Sequence, residues 1–517
     1  MDSIIKIYEG EPVITLDILQ GQELCFTGKG RIGIVEVSGN KVAEMRGKML
    51  NGIIRLAEYM PPQFGYTVQA GIFTDQEKAD DHTKLLTDSG FDGRIEYTED
   101  SVQMDGDELI RSRYYRVLTG DFNSLEDAQH FAWTLPSLCQ VEVIRETIRD
   151  PRGTLEFIDD SEEGSIKIDH GLSMHSTIAG SEFSLESQVD KAGHQQSPYK
   201  IKANNSVSVR IGTDGLIHAF REIPLSNYLK LILFSELGGN APLEAYKAQS
   251  VISRSKVFSD LVKPSANTVL SSPQYRHQES EIPPIIERAV SETKGEVLFM
   301  NDSICPVGYT LNCGGHTEHL EHPCSPESDF LIKGILDGRA TKASRINLKT
   351  EKQAKRWILG KPDVNCNTSQ SQSKIPKLAS NSFRWEAGFS RRDIEAQIER
   401  KTGESIGTLF DIVPGMRGCS GRIRLIELLG SRKNLKITGD WHIRTLVSDA
   451  PLRSSCFIIE REYGGDGIPF NYTFIGAGDG HGAGLCQAGS ITLAQSGSSY
   501  REILEHYFKK SELKKLY

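Results

Sequence analysis

Two cysteines and three of the thirteen histidines fall within twelve residues, Cys313-Gly-Gly-His316-Thr-Glu-His319-Leu-Glu-His322-Pro-Cys324. Chance would place about 0.3 histidines in such a window, so the grouping asks for a chemical reason. Thiolates and imidazoles at this spacing suit tetrahedral zinc. Cys313 and His316 would form one arm and His322 and Cys324 the other, leaving out His319. Two thiolates and two imidazoles would close the site, which points to a structural ion. The same residues also read as a metal-free polar loop in which His316 contacts a substrate. A second feature is Glu236, followed by Leu237 and the pair Gly238-Gly239. A carboxyl group at the end of a buried helix, beside a tight turn, is partly desolvated, as a general acid working near neutral pH needs. Taken alone, an ordinary helix-end glutamate is the better reading. A third is the glycine run Gly476-Ala-Gly-Asp-Gly-His481-Gly-Ala-Gly484-Leu-Cys-Gln487-Ala-Gly. It fits a loose dinucleotide fingerprint at Gly478, Gly480 and Ala483, but only 33 residues follow Gly484, too few for the rest of a nucleotide-binding sheet.

Each feature needs an element to hold it. Leu229, Ile232, Leu233 and Leu237 make one apolar helix face, and the glycine pair ends that helix. Pro242 then opens a second helix, with Ala245, Ala248, Val251 and Ile252 at helical spacing. The glycine run follows a strand over 472–475 and precedes a helix through Thr492-Leu-Ala. Nearer the start, residues 4–7, 13–18 and 32–36 alternate at period two and predict strands.

Residues 64–147 contain an internal repeat. Tyr66-Thr-Val-Gln-Ala-Gly-Ile-Phe73 is matched by Tyr115-Arg-Val-Leu-Thr-Gly-Asp-Phe122. A helix follows each copy, with Thr74 and Glu77, then Asn123 and Glu126, at capping-box spacing. The predicted order is βαββαβ, a ferredoxin-like sheet with helices on one face. The paired Y-x-V-x-x-G-x-F signature resembles SPOR domains, a family of small modules that bind peptidoglycan strands stripped of stem peptides.

The stretch Ile223-Pro-Leu-Ser-Asn-Tyr-Leu-Lys, then Ser235-Glu236-Leu237, then Ala241-Pro-Leu-Glu-Ala-Tyr-Lys247-Ala-Gln249-Ser-Val-Ile-Ser-Arg254 resembles the opening of the SpoIID/LytB family. The glycine run and the ending Gly497-Ser-Ser-Tyr500-Arg-Glu-Ile-Leu-Glu-His-Tyr507 extend the likeness over roughly residues 200–517. The family's catalytic acid falls on Glu236, and Lys247, Gln249 and Arg254 fall on its K-A-Q…R positions, which the resemblance implies bind substrate at the groove. Some members bind zinc near the Gly314-Gly315 turn. The resemblance also assigns substrate contacts to His481 and Gln487, which can hydrogen-bond sugar hydroxyls or acetamido groups. Arg422, in Ser420-Gly-Arg422, either frames the groove or pairs with a local carboxylate. The chain departs from the pattern at Thr310-Leu311, where many members have His-Ser, and at Asp479 and Ala488, where aromatic residues are usual.

The expected fold is therefore α+β and multidomain. An N-terminal β-rich segment, 1–60, would pack on the catalytic domain. A small βαββαβ SPOR-like domain, 64–147, and a connecting segment, 148–200, would precede a mixed α/β SpoIID-type domain, 201–517. The implied activity is lytic transglycosylation of bare peptidoglycan, with zinc as a structural cofactor. Its alternative is a non-catalytic cell-wall protein that enhances an amidase, the partner being that amidase. A net charge of −9 argues against nucleic acid as a partner. No apolar run reaches the length of a transmembrane helix. The substrate implies an extracytoplasmic location, although Met1-Asp2-Ser3 opens no signal-peptide pattern. Nine cysteines at this length do not make a disulfide scaffold; Cys25, Cys139, Cys366 and Cys456 read as scattered buried thiols.

Overall fold

Period-two alternation drives the first half of the chain into sheets, and helical spacing appears mainly after residue 224. The computed structural model describes residues 3–36, 41–73, 75–104, 107–132, 135, 141–159, 165–169, 171–176, 181–187, 199–201, 206–261, 269–271, 282–300, 303–320, 332–338, 346–367, 382–403 and 405–517. The fold mixes helix and strand in two compact units. One comprises residues 1–228 with 261–280, the other 229–260 with 281–517.

The first unit holds two sheets. In the smaller, the strands Gln63–Phe73 and Asp107–Phe122 lie side by side and antiparallel, pairing Tyr66 with Phe122 and Phe73 with Tyr115. The two copies of the repeat thus face each other about a local two-fold. Arg94–Met104 and Glu142–Arg149 flank them, and Ser3–Ile5 adds a fifth, parallel strand. Val68, Ala70, Val117, Ala79, Leu86 and Ala128 form the core between sheet and helices. Both helix caps sit one residue later than the capping-box spacing predicts. Asp75 Oδ1 accepts from Lys78 N at 3.2 Å, and Ser124 Oγ accepts from Asp127 N at 3.1 Å. The shift is the same in both copies, as a true repeat requires; Thr74 itself lies outside the described residues.

The larger sheet has twelve strands. Glu11–Gly21, Glu23–Glu36 and Lys41–Met60 provide its long members, so the N-terminal strands join this sheet. The supposed connecting segment joins it as well, through Arg152–Asp159, Ser165–Asp169, Leu172–Ser176, Glu182–Ser187 and Tyr199–Ile201. These strands are short and their outward faces are rich in Ser, Glu and Asp, which disguises the alternation. Leu24, Phe26, Ile34, Phe157, Leu172, Leu185 and Val207 are buried together, with Phe26 stacked on Phe157 at 5.1 Å.

Among the described residues, the second unit carries four small sheets and most of the helices. Phe457–Tyr463, Pro469–Ala477 and Arg384–Ser390 pair antiparallel over Phe457, Phe474 and Trp385. Most consequential is the shortest sheet, where Tyr309–Thr310 runs parallel to Leu485–Cys486. It brings the cysteine–histidine stretch against the glycine run.

Candidate active site

The helix Leu225–Leu237 stops where Gly238 takes φ +66° and its N–H returns to the Phe234 carbonyl at 2.9 Å. Tyr246, from the helix Leu243–Leu261, locks that turn. Its hydroxyl donates to the Gly238 carbonyl and accepts from Ala241 N at 3.1 Å. Glu236 therefore leaves the last turn of a pinned helix, half-buried. Gln487, the first residue of the helix Gln487–Gln495, is buried, and its Nε2 donates to Glu236 Oε2 at 3.3 Å. Two residues 251 positions apart, each singled out in its own motif, are thus in hydrogen-bond contact.

Behind Gln487 the glycine run packs backbone to backbone on the Cys313 stretch. Asn312 and Asp479 exchange N–H···O bonds of 3.1 and 2.8 Å, and Glu318 N donates to the Gly482 carbonyl at 2.8 Å. Gly484 has φ +78°, and a Cβ there would meet the Gly308 carbonyl oxygen at 2.1 Å. Close approach to protein backbone is what this glycine serves. The departures from the family pattern interlock: Thr310 Oγ1 donates to the Asp479 carbonyl at 2.8 Å, and Asp479 Oδ2 pairs with Arg453 at 2.8 Å.

Arg422 is buried and joins these walls. It donates to the carbonyls of Cys313 at 3.3 Å and Gly480 at 3.2 Å, and to Ser420 Oγ at 3.1 Å. Ser420 donates in turn to Glu318 Oε2 at 2.7 Å, while Cys419 Sγ and the His319 N–H reach Oε1 at 3.0 Å each. Burial pushes the Glu318 pKa up, but the hydrogen bonds from Ser420, Cys419 and His319 and the charge of Arg424 outweigh it and hold it at about 2. Nothing local in the sequence distinguishes Glu318; its side-chain partners Cys419, Ser420 and Arg424 come from 101 to 106 residues away.

The other expected contacts are distributed unevenly. His481 stands at the surface, with Nδ1 accepting from Ala483 N at 3.2 Å. Lys247 pairs with Glu244 at 2.8 Å and with Glu292 at 2.5 Å. Gln249 and Arg254, expected at the groove, are fully enclosed. Gln249 donates to Ser253 at 3.2 Å, and Arg254 donates to the Glu296 carbonyl at 3.0 Å and to Tyr517 Oη at 3.3 Å. Both face inward from the helix, which places them as framework rather than as sugar contacts.

The expected zinc ligands divide too. His322 and Cys324 lie outside the described residues. His316 is buried, its Nδ1 donating to the Thr317 carbonyl at 2.8 Å, and desolvation lowers its pKa. Cys313 instead meets Asp337, Cys366 and Cys486. All four are buried, and their ligand atoms lie within 4.8 Å of one another, so this cluster could hold a metal ion. Cys366 is therefore not a scattered thiol.

Family comparison agrees with the motifs. Residues 62–140 match the model described as SPOR domain, and residues 213–300 match that described as Stage II sporulation protein. The chain is thus similar to SPOR domains over one segment and to the SpoIID family over another. Residues 330–484 match a third model, described as a domain of unknown function (DUF8618). Among curated relatives, an uncharacterized protein of Brachyspira hyodysenteriae is 24% identical over 294 residues, 56% of this chain and 66% of the relative. The Amidase enhancer of Bacillus subtilis is 24% identical over 311 residues, 54% of this chain and 39% of the relative. The chain thus spans less than two thirds of either relative. The SpoIID match contains Glu236, Lys247, Gln249 and Arg254; Gln487 lies beyond it, reached only by the fold.

Proposed function

We propose that the chain is an extracytoplasmic peptidoglycan lytic transglycosylase acting on strands stripped of stem peptides. It would cleave the β-1,4 bond between N-acetylmuramic acid and N-acetylglucosamine. Glu236 protonates the leaving glycosidic oxygen. The resulting carboxylate then takes the proton from the muramoyl 6-hydroxyl, which attacks the anomeric carbon to give the 1,6-anhydro product. One carboxylate suffices because the nucleophile belongs to the substrate. The contact between Gln487 Nε2 and Glu236 Oε2 carries this reading, since it fixes one carboxyl oxygen and leaves the other for the sugar. His481, at the surface, is the sugar contact among the expected residues, whereas Arg422, Gln249 and Arg254 hold the walls. The SPOR domain, with an open cleft lined by Gln76, Asp80, Ile95, Tyr97 and Tyr115, would hold the bare strand nearby.

A second reading is enhancement of a cell-wall amidase without chemistry of its own. The name of the Bacillus subtilis relative favours it, as does the loss of aromatic sugar platforms at Asp479 and Ala488. Mass spectrometry of amidase-treated peptidoglycan separates the two. The first reading expects 1,6-anhydro products from wild type and none from Glu236→Gln. Absence of such products from both, with acceleration of an added amidase, would establish the second.

A further inference from the structure

The Cys/Asp cluster is more than an accident of core packing. Cys313 Sγ lies 3.5 Å from Cys366 Sγ and 3.4 Å from Asp337 Oδ2, and Cys486 Sγ lies 3.2 Å from Cys313 N. A zinc ion with Zn–S near 2.3 Å sets its thiolates roughly 3.8 Å apart, close to the 3.5 Å between Cys313 and Cys366 and within the 4.8 Å that bounds the four ligand atoms. Each ligand comes from a different place: the turn before Gly314-Gly315, residue 337, residue 366, and the position just before the helix Gln487–Gln495. Asp337 is fully buried, and its other oxygen is fixed by Tyr507 Oη at 2.8 Å and Asn365 Nδ2 at 3.2 Å, which leaves Oδ2 aimed at the sulfurs. Gly489 keeps the approach open, because a Cβ there would lie 2.6 Å from Asp337 Oδ2. A carboxylate with no access to water needs a counter-charge. His506 Nε2 lies 3.5 Å from Asp337 Oδ1 and faces the carboxylate on that side.

We propose that Cys313, Asp337, Cys366 and Cys486 bind one thiophilic divalent cation, zinc by the chemistry of the set, in a closed and structural four-ligand site. On binding, each coordinating thiol loses its proton to solvent, so three thiolates and one carboxylate surround the ion, with no change in oxidation state. Closed coordination and buried ligands leave no open position for water or substrate, so the ion acts by holding the fold. Asp337's hydrogen bonds to Tyr507 and Asn365 are the outer layer that orients this ligand. Cys486 directly precedes Gln487, so the ion also anchors the residue that touches Glu236. The site shares only Cys313 with the Cys313/His316/His322/Cys324 set.

Metal content tests the site without reference to catalysis. The full chain, purified without chelator from zinc-supplemented medium, is expected to carry about one equivalent of zinc. Cys366→Ser and Asp337→Asn should each lower this severalfold, and Cys324→Ser should not. Replacement of the ion by cobalt in wild-type protein should give the visible bands of tetrahedral thiolate coordination, a readout that does not depend on any variant folding. Zinc below about a tenth of an equivalent would overturn the proposal. So would a Cys313–Cys366 disulfide in unreduced peptide maps, or loss of metal from Cys324→Ser with retention in Cys366→Ser.

Discussion

Glu318 offers the sharpest test of how the second unit is held. Its carboxyl, held at about 2 against an ordinary 4.5, is 9% exposed and accepts from Ser420, Cys419 and His319. The depressed pKa contributes about 3 kcal/mol of stability at neutral pH. The sign follows from proton binding. The unfolded carboxyl takes up its proton first as pH falls, so the contribution is complete above about pH 5 and fades as pH drops toward 2. Replacement by glutamine removes the charge and keeps the shape. Glu318→Gln should therefore unfold about 3 kcal/mol more easily at pH 7, and by pH 3 the charge-dependent part of that gap should shrink to roughly half. Denaturant titration followed by tryptophan fluorescence reads this, because Trp357, Trp385 and Trp441 all belong to this unit. A gap that stays constant from pH 7 to pH 3 would refute the argument and assign the loss to packing.

Two further substitutions probe the elements around the site. Tyr246→Phe removes the hydroxyl that ties Gly238 to Ala241; about 1–2 kcal/mol of stability should go, and on the transglycosylase reading kcat should fall more than KM rises, as steady-state kinetics on bare glycan would show. Asp75→Ala removes the helix cap at Lys78 N and should lower the melting temperature of the SPOR domain by a loss of about 1 kcal/mol, measured by calorimetry, without altering product formation from soluble glycan fragments.

The sequence was most legible where the signal was local. The Tyr66 and Tyr115 repeat announced two strands that pair with each other, and Gly238-Gly239 announced the end of the Glu236 helix. Caps were misread by one residue in both copies because Thr74 and Asp75, or Asn123 and Ser124, are adjacent cap formers of similar strength, and propensity alone does not choose between them. The strands between 152 and 201 are hard to read locally because each is short and several find hydrogen-bond partners far away, Arg152–Asp159 on Lys41–Met60 and Glu182–Ser187 on Glu23–Glu36. A motif fixes identity but not direction, so the sequence does not show that Gln249 and Arg254 are buried on the helix Leu243–Leu261.

The metal cluster marks where spacing stops being informative. Cys313 and Cys324 look like partners because they are close in sequence, but Cys313 has Cys366 and Cys486 beside its thiol, 53 and 173 residues away. The approach of Cys486 follows from the parallel pairing of Tyr309–Thr310 with Leu485–Cys486, and that of Cys366 from the bond of Asn312 Nδ2 to its carbonyl at 3.0 Å, neither of which a local pattern requires. Two of the four ligands, Asp337 and Cys366, fall in the stretch that matches a domain of unknown function, and Cys486 falls just beyond it, next to Gln487. The SpoIID match ends at residue 300 and contains Glu236. A site that needs Glu236 from one stretch and Gln487 from the far end of the chain depends on whatever fixes the intervening region. The cluster occupies that position, because it joins the Cys313 turn, the unknown domain and the Gln487 helix through four buried side chains. On the proposed reading, the four-ligand cluster and the absent aromatic residues at Asp479 and Ala488 have one physical account: the glutamate would be held in place by the cluster that ties the wall together rather than by stacking the sugar against it.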